Sequence, residues 1–536
     1  KQFFSDSIAG VIVGIVAIPL AISFAIASGL SPEKGLFTAI IAGFLISALG
    51  GSRVQIGGPT GAFVVIVYAM VQKYGADSLV IATFMAGLIL VIMGFAGFGT
   101  IIKFIPYSVV VGFTSGIAVV IFSSQVKDFL GLQIDKVPAE FIDKWRVFFE
   151  SFASINPYAF ALALLTVLII AAWPKALRRV PGSFFAIIFT SILAAVFNLP
   201  VETIGSRFGA LPQFLPVPHI PRVNISVIAH LFQPAFTIAV LGAIESLLSA
   251  VVSDGMIGGK HRSNMELIGQ GAANIGSALF GGMPATGAIA RTVTNIKNGG
   301  RTPVAGIIHA LMVLVAILAL GRWIRLIPLA CLAGILTVVA YHMSEWRSFG
   351  GLLKGPRGDV VVLLATFLVT VLIDLTAAIQ LGAVLSAFIF MKRMSDVQHI
   401  RIIAKEIDED SREIDQPLNG KIAVPRGVEI YEINGPFFFG AAGQLDEAER
   451  AISEMPKVRI LRFKDVPFID SSGLYALKSF YKKCKNSRIQ LIITGLHLQP
   501  LNEMVKSSLY DLIGEENVFS NLKDALSRAE ELMASK

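Results

Sequence analysis

The chain has 536 residues, 54% of them hydrophobic and only 15% charged, with a mean hydropathy of +0.71. That balance excludes an ordinary soluble protein and reads as an integral membrane protein. Its formal net charge of +8 is no nucleic-acid signature, because loops lying against anionic lipid accumulate Lys and Arg anyway.

The charges are unevenly spread. Residues 1–394 hold 26 Lys and Arg against 15 Asp and Glu, whereas the rest of the chain holds 19 against 22. The first part therefore reads as a transmembrane domain and the second as a soluble one. Two cysteines, Cys331 and Cys484, exclude a disulfide framework and a cysteine metal cluster. No metal or cofactor is expected. The first apolar run continues straight into further spans, unlike a cleavable leader.

Apolar runs able to cross about 30 Å of hydrocarbon start near residues 8, 35, 60, 78, 107, 156, 182, 234, 264, 286, 302, 324, 359 and 375, roughly fourteen in all. The third and tenth, at Thr60 and Thr286, are short after a Gly/Pro-rich approach and suit half-helices better than full spans. With Lys1 on the cytoplasmic side, basic clusters fall there: Lys175/Arg178/Arg179, Lys260/Arg262, Lys297/Arg301, Lys354/Arg357 and Lys392/Arg393. Arg322 and Arg325 fall on the other side.

An internal repeat gives the architecture. Gly57-Gly58-Pro59-Thr60-Gly61-Ala62 returns as Gly281-Gly282-Met283-Pro284-Ala285-Thr286-Gly287-Ala288, with Thr60 and Thr286 226 residues apart. Before it, Ser47-Ala48-Leu49-Gly50-Gly51 resembles Ser277-Ala278-Leu279-Phe280-Gly281-Gly282. After it, Ile105-Pro106 with Gly112 matches Ile327-Pro328 with Gly334 at a spacing of 222. Two halves of seven spans each, about residues 1–200 and 225–394, lie in opposite orientations. This predicts the inverted repeat of a secondary transporter.

Each broken segment would expose free N–H groups of a half-helix at mid-membrane depth, where a helix N-terminus carries about half a positive charge. Two such ends facing each other suit an anion. Thr60, Gly61 and Ala62 are expected to face Gly287, Ala288 and Ile289, with Phe63 as a wall. The alternative is that the small residues serve helix packing alone. Arg291 follows in the tenth segment, where an unpaired arginine costs about 2.5–3.5 kcal/mol. It either balances substrate charge from behind the half-helix or snorkels to the surface with Lys297. Glu245 sits among apolar and small residues, which suits proton coupling, with Ser249 as its neighbour in the site; the alternative is a fixed ion pair with Arg291. Glu266, His309 and Asp374 are weaker candidates, each explicable by a span end, a cap or packing.

These residues resemble the SulP family of sulfate permeases, relatives of the animal solute-carrier anion transporters, over nearly the whole chain. The family pattern P-x-Y-G-L-Y followed by G-S-[KR] appears as Pro32-Glu33-Lys34-Gly35-Leu36-Phe37 and Gly51-Ser52-Arg53, with Lys34 and Phe37 in place of tyrosines. Arg262-Ser263-Asn264-Met265-Glu266-Leu267, with Gly269, Gly271 and Asn274, is similar to the family's ninth helix. The resemblance implies a core and a gate domain, substrate held between the third and tenth helices, elevator-type alternating access and a homodimer. It places the family's acidic position at Glu245 and its basic one at Arg291. Sodium-coupled bicarbonate members carry an aspartate and a hydroxyl where Glu245 and Ile289 stand, so the resemblance favours protons over sodium. Several animal members carry serine where Ala290 stands.

Beyond a linker at 395–424, acidic over 406–416, residues 425–536 alternate short strands (427–433, 437–439, 458–463, 489–493) with helices (441–455, 472–485, 522–533). That pattern predicts a compact α/β domain. Ile469-Asp470-Ser471-Ser472-Gly473-Leu474 resembles the STAS domain shared with anti-sigma-factor antagonists, whose corresponding serine is phosphorylated. Ser472 is thus either a regulatory phosphosite or part of a helix cap. No H-E-x-x-H, G-x-S-x-G or P-loop is present, which argues against an enzyme. The sequence alone reads as a proton symporter of small anions in a bacterial inner (plasma) membrane, with both termini cytoplasmic and a cytosolic regulatory partner for the tail. Sulfate and C4-dicarboxylates such as fumarate or succinate are the expected substrates. Bicarbonate transport, or uncoupled exchange or conduction, is the alternative.

Overall fold

The computed structural model describes residues 1–536 except 101–105, 135–136, 139, 175–180, 210–211, 213, 221–224, 374, 398, 404–423, 439–455 and 535–536. The Lys175/Arg178/Arg179 cluster, Asp374, the acidic linker and the expected 441–455 helix lie outside the described residues. The chain divides into two units, Lys1–Ser386 and Ala387–Lys536.

In the first unit, α1 (Gln2–Ala27), α2 (Pro32–Leu49), the half-helix α3 (Gly61–Tyr74) and α4 (Ala76–Phe95) precede α5 (Tyr107–Leu130), the lateral helix α6 (Phe141–Glu150), α7 (Pro157–Ala171), α8 (Gly182–Val196) and α9 (Ile204–Phe208). The second half runs through α10 (Ile225–Ile257), α11 (Ser263–Leu279), the half-helix α12 (Ile289–Lys297), α13 (Pro303–Ile324), α14 (Leu329–Met343), α15 (Trp346–Leu352), α16 (Arg357–Leu372) and α17 (Leu375–Val397). Eight of the described helical stretches are long and apolar enough to cross a membrane; α7 and α8 are shorter apolar helices.

The helices form two groups. α1, α2, α4, α10, α11 and α13 pack around α3 and α12, while α5, α7, α8, α14 and α16 pack among themselves. Small residues set the crossings. A Cβ at Gly87 would stand 2.7 Å from the Gly271 carbonyl, and one at Gly271 2.6 Å from the Gly87 carbonyl, so α4 and α11 touch backbone to backbone. The outermost repeat echo has the same meaning in both halves. Gly112 of α5 lies against the Leu363 carbonyl and Thr366 of α16, and Gly334 of α14 lies against the Ala163 carbonyl and Thr166 of α7.

The second unit is an α/β domain around a five-stranded sheet, β3 (His399–Ile403), β4 (Val428–Asn434), β5 (Val458–Asp465), β6 (Gln490–Thr494) and β7 (Val518–Phe519), in that spatial order. β3 is antiparallel to β4 and the other pairings are parallel. The outer strands β3 and β7 have no counterpart among the strands expected from sequence, since β3 lies in the segment read as a linker and β7 is only two residues long. Phe437 makes a single bridge to Ile469. Alternate strand residues bury on both faces: Tyr431, Leu461 and Phe463 meet α18 (Ser471–Asn486) and the short helices α19 (Leu498–Lys506) and α20 (Leu509–Ile513), whereas Ile430, Ile460 and Ile492 meet α21 (Leu522–Ala534).

Candidate functional site

The half-helices meet through two very short strands. β1 (Gly57–Gly58) and β2 (Thr286–Gly287) pair antiparallel, Gly57 opposite Gly287 and Gly58 opposite Thr286, and Ala288 N–H donates to the Ile56 carbonyl at 2.8 Å. α3 then leaves from its N-cap Thr60 and α12 from its N-cap Ala288, with no side chain capping either helix. The N–H groups of both first turns, which a helix leaves without internal partners, start within three residues of the same ladder. In this register Gly287 lies opposite Gly57, three residues before Thr60. The ladder needs close backbone approach on both sides, and the half-helices start only after it.

The two first turns differ in exposure. Thr60, Gly61, Ala62 and Phe63 are buried, with Thr60 Oγ1 lacking a partner among the described residues. Phe63 packs towards Gly242 of α10, whose Cβ would stand 3.5 Å from the ring. Ala288 is buried, but Ile289 and Ala290 are exposed, so the α12 end faces open space.

Arg291 is 2% exposed and does not snorkel. Its guanidinium donates to the Gly57 carbonyl at 3.4 Å and to the Pro59 carbonyl. It thus reaches from the first turn of α12 into the approach to α3. No ion pair with Glu245 is formed among the described residues, which removes that alternative. Glu245 is half-buried on α10. Gly242 and Ser249, one turn away from it, and the adjacent Ser246 touch the site: Thr286 Oγ1 donates to the Gly242 carbonyl at 3.0 Å and lies 2.7 Å from Ser246 Oγ, and Ser249 Oγ lies 3.4 Å from Thr292 Oγ1.

Polar side chains hold both approaches, and sequence reasoning missed most of them. Glu266, in the first turn of α11, is fully buried and accepts from Ser52 N–H at 2.9 Å, Gln55 Nε2 at 2.7 Å and Gln270 Nε2 at 2.9 Å, so from the end of its helix it anchors the lead-in to β1. Thr292 Oγ1 accepts from Ile56 N–H, and Asn295 Nδ2 donates to the Val54 carbonyl. On the other side, Asn274 both accepts from Ala285 N–H and donates to the Ala285 carbonyl, each at 2.9 Å, while Thr38 accepts from Met283 N–H. His309 is fully buried, and neither ring nitrogen has a partner among the described residues. In the other unit Ser472 is exposed. The cap of α18 is Asp470, whose Oδ1 accepts from Gly473 N–H at 2.7 Å.

A family model for the sulfate permease family matches residues 3–366. The chain belongs to that family. Within this sulfate permease chain a STAS domain model matches residues 421–525. It is 41% identical over 523 residues to YvdB of Bacillus subtilis (strain 168), provisionally named a sulfate transporter, covering 97% of each chain. It is 30% identical over 544 residues to the bicarbonate transporter BicA of Synechocystis sp. (strain ATCC 27184 / PCC 6803 / Kazusa), covering 99% of this chain and 94% of BicA. Among solved structures it superposes on murine Slc26a9, an anion transporter, with a TM-score of 0.88 at 18% identity, covering 98% and 91% of the two chains, a likeness of fold. The transmembrane domain of a cyanobacterial BicA matches with a TM-score of 0.65 at 32% identity, covering 70% of this chain and 97% of that domain.

Proposed function

We propose that this sulfate permease is a secondary active transporter that carries small anions by proton symport across a bacterial plasma membrane. The observation that carries the reading is the pair of half-helix N-termini leaving the β1–β2 ladder, with the Arg291 charge fixed on Gly57 of that ladder. Backbone N–H groups and a buried guanidinium recognise negative charge without a metal. Thr60, Gly61, Ala62 and Phe63 on one side and Gly287, Ala288, Ile289 and Arg291 on the other hold the anion. Glu245, beside Ser249 on the adjoining face of α10, carries the proton.

The site lies on one of the two helix groups, and movement of that group against the other, as an elevator, gives alternating access. The basic clusters at Lys260/Arg262, Lys297/Arg301 and Lys392/Arg393 favour cytoplasmic termini and a cytoplasmic STAS domain, which offers a surface to a regulatory partner. The assembly is a homodimer. Sulfate and C4-dicarboxylates are the substrates that a proton-type carboxylate at Glu245 suits. The similarity to BicA favours a second reading, bicarbonate transport.

The test is uptake of labelled succinate, sulfate and bicarbonate into proteoliposomes, with and without an inward proton gradient, against unlabelled fumarate, chloride and uracil. Accumulation that follows the gradient supports the proposal and ranks the substrates. Exchange that no gradient drives removes the coupling, and competition by uracil alone overturns the anion reading.

A further inference from the structure

A cavity of about 560 Å³ opens where α3 ends, between α3, α5, α6, α10 and α16. Its α3 wall runs from Tyr74 back to Val64, about 15 Å at 1.5 Å per residue, so its deep end lies one turn from Thr60. It is separate from the β1–β2 ladder, none of whose residues line it.

Lys144 lines this cavity, yet the residue is only 3% exposed. α6 is amphipathic, and Lys144 and Phe148, one turn apart, are its buried residues. Trp145 fixes the helix by donating from Nε1 to Ser123 Oγ of α5 at 3.1 Å. The ammonium is thus held on the inward face of a short helix, 5.4 Å from the centre of the Tyr68 ring. Glu140 helps sustain its charge through space without an ion pair among the described residues. Burial nonetheless pulls the ammonium below the usual lysine range. Lys73, at the other end of the α3 wall, adds a second cation against the one carboxylate of the lining, Glu140, while His230, Tyr74, Gln72, Gln233 and Ser124 supply further hydrogen-bonding groups. A buried cation is costly unless something shares its charge, and a cleft lined by cations concentrates anions.

We propose that this cavity is a second anion-binding site, a waiting site in which Lys144 holds a small oxyanion or carboxylate before it reaches the half-helix pair. The inference rests on the transport reading and on cytoplasmic termini, which place the cavity on the outer side. Lys144 is a binding residue here and takes no part in proton coupling.

The test compares the full-length protein with Lys144→Gln and Lys144→Arg, by equilibrium binding of labelled sulfate, succinate and bicarbonate and by the kinetics of uptake into proteoliposomes. The expected result is two classes of site for the transported anion, one of them lost in Lys144→Gln, with KM raised on the order of tenfold and maximal rate little changed. Lys144→Arg should retain both sites. As pH rises, Lys144 loses its proton before an ordinary lysine does, so equilibrium binding at the second site should weaken through the alkaline range in the unmodified protein and stay level in Lys144→Arg, whose charge does not titrate there. Unchanged site number and KM in Lys144→Gln, with uptake present, overturn the waiting site and leave the transport reading standing. No binding of any of the three anions to the unmodified protein overturns both. If Lys144→Gln fails to fold, an alkaline weakening of binding at the second site that persists in Lys144→Arg overturns the inference.

Discussion

Gln55, in the approach to the first half-helix, donates from Nε2 to the Glu266 carboxylate of α11 at 2.7 Å, so a buried side chain of one repeat fixes the backbone that leads into the other. The same carboxylate accepts from Ser52 N–H and Gln270. Glu266→Ala strands these buried donors and should cost about 1–3 kcal/mol for each donor left unmet, visible as a lowered thermal midpoint of the full-length protein. Glu266→Gln keeps one acceptor oxygen but turns an amide towards one of the donors, and should fall between the two. An Ala variant that melts like the unmodified protein would refute the anchor.

Gly58 occupies φ +143°, and a Cβ there would stand 2.7 Å from Arg291 Nη1. Gly58→Ala should therefore displace the guanidinium from the Gly57 and Pro59 carbonyls and lower uptake on the order of tenfold or more, with yield and dispersity intact. Gly255→Ala, where nothing lies within 4 Å of the added atom, is the control and should transport normally. Equal uptake by both variants would count against Arg291 as part of the site.

Glu245→Gln removes the titratable group beside the site while keeping its shape. Gradient-driven accumulation should vanish, whereas counterflow of labelled anion against unlabelled anion should persist within a few fold, roughly. Accumulation that survives the substitution would assign the proton to another group.

Asp470 caps α18, and Ser472 is exposed in its first turn. Asp470→Ala should destabilise the tail by about 1 kcal/mol, read as earlier proteolysis of the 425–536 region in the full chain. Ser472→Ala should leave that stability unchanged, because its hydroxyl is not the cap. Phosphate on Ser472 would sit at a helix N-terminus, where negative charge is favoured. Intact mass of protein purified from its native host should show an added phosphate that Ser472→Ala removes. An unmodified mass under all growth conditions would reject the phosphosite.

Composition was enough to separate membrane from soluble chain, because lipid and water impose opposite demands on side chains within a few turns of helix. The repeated Gly-Gly and Pro-Thr or Pro-Ala-Thr approaches were legible for a local reason: a chain that breaks a helix and lets backbones meet at mid-membrane depth needs small residues and proline there. Strand alternation likewise marked β4, β5 and β6 of the tail. Tertiary structure alone decided the rest. A two-residue strand such as β1 has no periodicity to read, and its register with β2 is set by partners more than 200 residues away. Gln55 and Thr292 look like ordinary polar residues, and the motif residues Glu266 and Asn274 show no partner, until folding aims them at one another and at backbone donors and acceptors. Lys144 sits in a helix whose exposure only packing fixes, and its burial beside Tyr68 could not be inferred from spacing, because the two residues come from separate helices joined through the whole of α4 and α5.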